Sequence, residues 1–138
     1  MYEQLYDEAV GVLFTRFYGQ LIGAEIQEAG LHGIRAMNAR QRQRMSVWLI
    51  DGRSVTATDQ RDSDLAKASQ TLKEWKRAGI EPQRVWLHYG NPHILNRVDA
   101  SPSPPWRDDF TVAYSLREAM KMAGLPPDYQ YPFRLGKV

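Results

Sequence analysis

The sequence predicts an α+β domain built on a mixed β-sheet, in the order α-β-β-β-α-β, then a loop, β, α and a terminal strand or arm. Three observations carry this. A broad apolar stripe at helical spacing fills residues 2–29. Short β-branched and aromatic runs follow at 45–50, 54–58 and 84–89. A stretch with helix start and stop signals, 62–78, separates the last two. The chain has 138 residues, is 43% hydrophobic and 25% charged, and is read as a single domain over 1–138.

Leu5, Ala9, Leu13, Phe17 and Leu21 recur every four residues, and Tyr6, Val10, Phe14 and Ile26 widen the stripe, which gives a long, largely buried N-terminal helix. Gly11, Thr15, Gly19 and Gly23 form a second ladder on that helix. Such a row suits close packing on a sheet or on a second copy of the chain, so a homodimer through the Gly11/Gly19/Gly23 face is one expectation. Gly30 stops the helix. Ile34–Met37, Met45–Ile50 and Ser54–Thr58 read as strands. Asp51-Gly52 between the last two reads as a two-residue hairpin turn, which Arg53 extends. The segment 38–44 then links the first two strands as an exposed loop, with a helix through 35–44 as the rival.

Asp62 or Ser63 caps a helix that runs to Ala78 and ends at Gly79, with Leu65, Ala68, Leu72 and Trp75 as its buried stripe. Arg84–Tyr89 is a strand parallel to the one before the helix. Residues 91–109 form a Pro-rich irregular loop. Phe110–Tyr114 is a strand, and Ser115 with Glu118 makes a capping box for a helix over Leu116–Ala123. Residues 126–138, with Tyr129, Tyr131 and Phe133 alternating, are an aromatic edge strand or packed arm.

The longest strongly apolar run, Val47–Ile50, is far shorter than the ~20 residues of a membrane span, and the acidic start lacks the basic region of a secretory signal, so a cytoplasmic, membrane-free protein is expected. Absence of cysteine excludes disulfides and thiolate metal sites. No GxGxxG or Walker-type loop occurs. Residues 1–30 hold one cation, Arg16, against five anions, whereas Arg35, Arg40, Arg42 and Arg44 stand together with no acid between them. Guanidinium groups fork onto phosphates, so these four, helped by Lys73, Lys76 and Arg77 on the second helix and by Trp106 and Arg107 after the Pro-rich loop, are the candidate nucleic-acid contacts. A solvated charged face is the simpler alternative.

The first six elements, over about residues 2–89, resemble the core of the PD-(D/E)XK nuclease superfamily. The resemblance is carried by the strand ending in Asp51, the Asp-Gly turn, a second strand, the helix DLAKASQTLKEWKRAGI and the strand RVWLHY. It implies a metal-binding acid at Asp51, with Asp59 as a neighbouring carboxylate and Gln70 where some members place a glutamine, and Mg²⁺ only if that chemistry holds; otherwise no cofactor is expected. The acid-x-Lys pair that the family carries on the next strand is missing, since Thr56 and Thr58 occupy the matching stretch and Glu8 or Glu25 would have to swing in. Asp51 as a simple turn residue is the competing reading.

Among other groups, His88, His93 and Asp99 lack a metal-ligand spacing, His32 stands alone, and Asp108-Asp109 reads as a turn. Trp48, Trp75 and Trp86 are core residues and Trp106 a candidate stacking residue. The sequence favours a small basic nucleic-acid-associated protein, non-catalytic or a degenerate metal-dependent nuclease. A protein-binding adaptor or inhibitor, homodimeric in one version, is the alternative, and a small-molecule binder a further one.

Overall fold

The computed structural model describes residues 1–59, 71–87 and 111–133. The α+β class with a mixed sheet holds. In chain order the elements are β1 (Tyr2–Asp7), β2 (Val12–Ile22), α1 (Gly23–Ala36), α2 (Ala39–Arg44), β3 (Val47–Asp59), α3 (71–77), β4 (Gln83–Leu87), β5 (Thr111–Ala113) and α4 (Leu116–Met122). The five strands lie side by side in the order β1-β2-β3-β4-β5. β1 is antiparallel to β2, and every later neighbour pair is parallel.

The N-terminal helix is not there. Residues 2–22 form the β1–β2 hairpin, paired from Tyr2↔Phe17 to Asp7↔Val12. The apolar spacing of four fits both structures, because four is an even number and strand residues two apart share a face. Leu13, Phe17 and Leu21 therefore point to one side of β2, while Val12 and Phe14 point to the other, and all five are buried. The run VLFTRFY is rich in β-branched and aromatic residues, which suits a strand, and its pairing with β3 decides the matter.

The glycine ladder is correspondingly not a helix face, so the homodimer surface expected there does not exist. Gly11 sits in the hairpin turn at φ +69°, where an added Cβ would lie 2.5 Å from the Arg44 carbonyl. Gly19 is at φ +69° where the β2–β3 register slips, and Gly23 opens α1. Ile34–Met37 is not a strand either. It closes α1, which begins where the long helix was expected to be ending.

Asp51-Gly52 is not a turn. β3 runs on through it for 13 residues, with a register slip against β2 between Arg16↔Asp51 and Tyr18↔Ser54, and pairs in parallel with β2 from Val12↔Val47 to Ile22↔Asp59. A strand buried on both faces carries no polar alternation to mark its length. Its Asp-Gly then imitates a hairpin signal.

Both faces of the sheet are covered. Face one packs Leu13, Phe17, Trp48, Ile50 and Val55 against α1 and α3, with the Trp48 and Trp75 rings 4.9 Å apart. Gly30 of α1 lets α3 approach, since a Cβ there would meet Thr71 at 2.9 Å. Face two packs Val12, Phe14, Leu49, Val85 and Leu87 against Ala119 and Ala123 of α4 and against the C-terminal arm. Gly30 lies inside α1 and stops no helix, and the capping box expected at Ser115 forms by half. The Ser115 hydroxyl accepts from the Glu118 N–H, although the Glu118 carboxylate accepts from Tyr114 rather than closing the box on Ser115, and Gly79 and Gly124 end their helices at positive φ. Asn38 and Gln41 form a reciprocal capping box that starts α2, so the arginine segment is helical. No described helix is long and apolar enough to cross a membrane. The start of the Asp62-capped helix, the 91–109 loop and residues 134–138 lie outside the described residues.

Candidate functional site under the C-terminal arm

Strand alternation on β3 puts Asp51 on face two, beside Arg16 of β2, its parallel register partner, and the hydrogen bonds of Arg53 to Asp51 hold that side chain with it. Asp51 is 1% exposed. Its Oδ1 accepts from the Arg53 main-chain N–H at 3.0 Å and from Arg53 Nε at 3.1 Å. Its Oδ2 accepts from Arg53 Nη2 at 3.0 Å and from the Tyr131 hydroxyl at 2.5 Å. A carboxylate offers about four lone-pair positions, and all are filled. Tyr131 comes from the arm, 80 residues away in sequence.

The arm adds a second latch of the same kind. The Tyr129 hydroxyl donates to Asp7 Oδ2 at 2.5 Å, at the end of β1. The Tyr129 ring stacks on Phe14 at 5.9 Å, and Tyr131 meets Phe14 edge-on at 6.0 Å and Phe133 at 5.7 Å. The Arg53 guanidinium lies 5.6 Å from the Tyr131 ring centroid. Burial, with Asp51 next to it, pushes the Tyr131 hydroxyl far above its ordinary range, and burial with Asp7 does the same to Tyr129. Burial would lower the Arg53 value, but the hydrogen bonds and charge of Asp51 outweigh it and the net shift is upward. The cluster continues to the sheet edge, where buried Arg16 donates to Glu3 at 3.1 Å.

Of the expected catalytic group, only Asp51 has a described side chain. Asp59 ends β3, and Gln70 lies outside the described residues. A divalent ion does not fit at Asp51, whose oxygens are all taken by donors, one of them a guanidinium. Among the described residues, no three His, Cys, Asp or Glu side chains converge on a metal position. His32 is exposed against the edge of Tyr2, and His88, His93, Asp99, Asp108, Asp109, Trp106 and Arg107 are outside the described residues.

The arginines do not form one free lobe. Arg42 turns inward, its Nε donating to the Ile34 carbonyl at 2.9 Å near the end of α1, and Arg44 faces Glu8 of the acidic opening segment at 3.9 Å. Arg35 and Arg40 are exposed, as are Lys73, Lys76 and Arg77 of α3, and Lys76 pairs with Glu81 at 3.6 Å. Arg42 and Gln43 also line a groove of about 200 Å³ against Gly79 and Ile80.

Sequence reasoning missed Arg53, Phe14, Asp7 and the two tyrosines as one network. Asp-x-Arg on one strand was the available signal, because residues two apart share a face. The pairing with Tyr131 had no local signal.

No protein-family model and no curated protein matches the sequence. Among solved structures the chain is similar to the anti-sigma factor antagonist SpoIIAA in its unphosphorylated form, with 11% identity, 90% of this chain and 98% of that chain covered, and a TM-score of 0.45. The nuclease resemblance is overturned. The order opens with a hairpin in place of the helix, the Asp-Gly turn is absent, and the oxygens of Asp51 are all taken by donors. The nucleic-acid reading falls with it, since Arg42 turns inward, Arg44 faces Glu8 at the surface and the metal acid is closed.

Proposed function

We propose that this chain is a protein-binding module that receives an extended segment of its partner along the outer edge of β1. One observation carries the reading. β1 ends the sheet as a regular six-residue strand with an unbroken register to β2 and an exposed leucine, Leu5, at 44%. Edge strands are ordinarily blunted by charge, above all lysine, by proline or by a bulge; YEQLYD has no lysine, proline or bulge, and its two charges, Glu3 and Asp7, are engaged by Arg16 and Tyr129. Antiparallel alternation, set by the Tyr18 N–H donating to the Met1 carbonyl, aims the main-chain groups of Tyr2, Gln4 and Tyr6 away from β2. No described residue pairs with them in the sheet. This is the geometry of strand addition, in which main-chain bonds give affinity and alternate side chains give selectivity. The similar solved structure is by title an anti-sigma factor antagonist; the reading does not rest on it. A cytoplasmic site of action belongs to the same proposal.

The test is affinity purification of the full chain and of Leu5→Lys, expressed at matched levels, followed by hydrogen exchange on the recovered complex. The expected result is a polypeptide retained by the native chain and lost with Leu5→Lys, together with slowed exchange at the Tyr2, Gln4 and Tyr6 amides. Equal recovery by both chains, or no protection at those amides, contradicts the proposal.

A further inference from the structure

The arm is seated like a ligand. Residues 126–133 form no helix or strand, and every bond named above that fixes them to the sheet is made by a side chain. Their described main-chain bond is the local Tyr129 N–H to the Pro126 carbonyl. Gly124, at φ +72°, and the Pro126-Pro127 pair separate them from α4.

What they occupy is built without them. Asp7, Phe14, Asp51 and Arg53 all stand on or at the end of β1, β2 and β3, and Arg53 alone orients both oxygens of Asp51 through three hydrogen bonds. Oδ2 is thereby left aimed at one incoming hydroxyl. Asp51 pairs with Leu87 of β4, and Leu87 with Ala113 of β5, so the site lies on the same cross-strand row as these buried residues.

We infer that face two carries a recognition site for an extended peptide with two tyrosines two residues apart, and that the C-terminal arm is its resident, displaceable occupant. Phe14 is the floor, Asp51 and Asp7 read the two phenol hydroxyls, and Arg53 both orients Asp51 and covers the inner ring. Selectivity for tyrosine over phenylalanine comes from Asp51, which is left with an unused buried acceptor when the hydroxyl is missing. The arm acts as an internal competitor, present at an effective concentration in the millimolar range for a short tether. A partner must therefore outcompete it, or bind when it is released. The inference rests on the protein-binding reading only for who supplies the segment. Leu5→Lys reads out the β1 edge and, because Leu5 is the register partner of Phe14, does not separate the two ideas by itself; Asp51→Asn, away from the β1 edge, reads out this site alone.

The probe is a fluorescent synthetic peptide of residues 126–133, followed by anisotropy against the full chain carrying Tyr129→Ser and Tyr131→Ser. The variant, with its own arm disengaged, is expected to bind at least roughly tenfold more tightly than the native chain. Adding Asp51→Asn, or placing phenylalanine at the peptide position matching Tyr131, is expected to weaken binding by about tenfold, the equivalent of one hydrogen bond to a charged group. A variant with native circular dichroism that binds no better than the native chain overturns the inference, as does binding insensitive to Asp51→Asn. If the double variant does not fold, the native chain labelled with 3-fluorotyrosine decides. Excess peptide should move the Tyr131 resonance to its solvent-exposed position, and an unmoved resonance overturns the inference.

Discussion

Replacing Asp51 by asparagine keeps the shape of the side chain and removes its charge. One oxygen becomes an NH₂ group, so one pair of the four donors, either the two from Arg53 at Oδ1 or Arg53 Nη2 with Tyr131, meets a donor instead of an acceptor. Removing one partner of a buried ion pair costs about 3–5 kcal/mol. The Arg53 side chain retains 18% exposure and recovers some hydration, while asparagine keeps one acceptor, which places the expected loss near the lower end, about 3 kcal/mol. Tyr131→Phe, which deletes one hydrogen bond to a charged acceptor and keeps the ring, should cost about 1.5 kcal/mol. Urea unfolding followed by circular dichroism measures both, and an unchanged denaturant slope would show that only stability has moved. The two losses should not add. A coupling of about 1 kcal/mol is expected in the double variant, because asparagine has already weakened the bond that phenylalanine removes. A loss below about 0.5 kcal/mol for Asp51→Asn, or strict additivity, would refute the latch.

The two arm tyrosines also set an alkaline limit. Their hydroxyls titrate above the ordinary value of 10.0 in the folded chain, so the stability they contribute is complete below pH 10 and is lost as the pH rises beyond it. Phenolate absorbance should show two strongly delayed tyrosines that Tyr129→Phe and Tyr131→Phe remove, beside the upward-shifted Tyr2 and Tyr6, which remain. Gly11→Ala should destabilise by about 2 kcal/mol or more, from positive φ together with the Arg44 carbonyl, whereas Gly79→Ala, with open space around it, should cost only about 1 kcal/mol of backbone strain in the same urea assay. Ser115→Ala should cost about 1 kcal/mol through loss of the α4 cap.

Local chemistry was legible where a residue acts on its own neighbourhood. Ser115 caps, Gly79 and Gly124 stop helices, and the β-rich runs at 47–50, 84–87 and 111–113 are strands, because caps, positive φ and branched side chains act within a few residues. The first third was misread because a spacing of four satisfies both periodicities. Only the long-range pairing of β2 with β3 chooses between them. Asp51-Gly52 misled for a related reason. Its turn preference is local, but pairing with β4 up to Asp51 and with β2 on both sides of Gly52 holds the chain extended through it. At the site, position alone offers Asp51 as a metal acid or a turn residue, and its role depends on Tyr131, a residue no local pattern connects to it. The aromatic alternation of 129–133 foretold a packed arm, though not what it packs against.

Proton NMR of the native chain tests the central claim most directly, that the arm is latched to the sheet through Asp51. The account predicts two slowly exchanging tyrosine hydroxyl protons, with an Overhauser contact from that of Tyr131 to Arg53 Hε and one from the Tyr129 ring to Phe14. Rapid exchange of both hydroxyls with water, and no contact between Phe14 and either tyrosine, would contradict it.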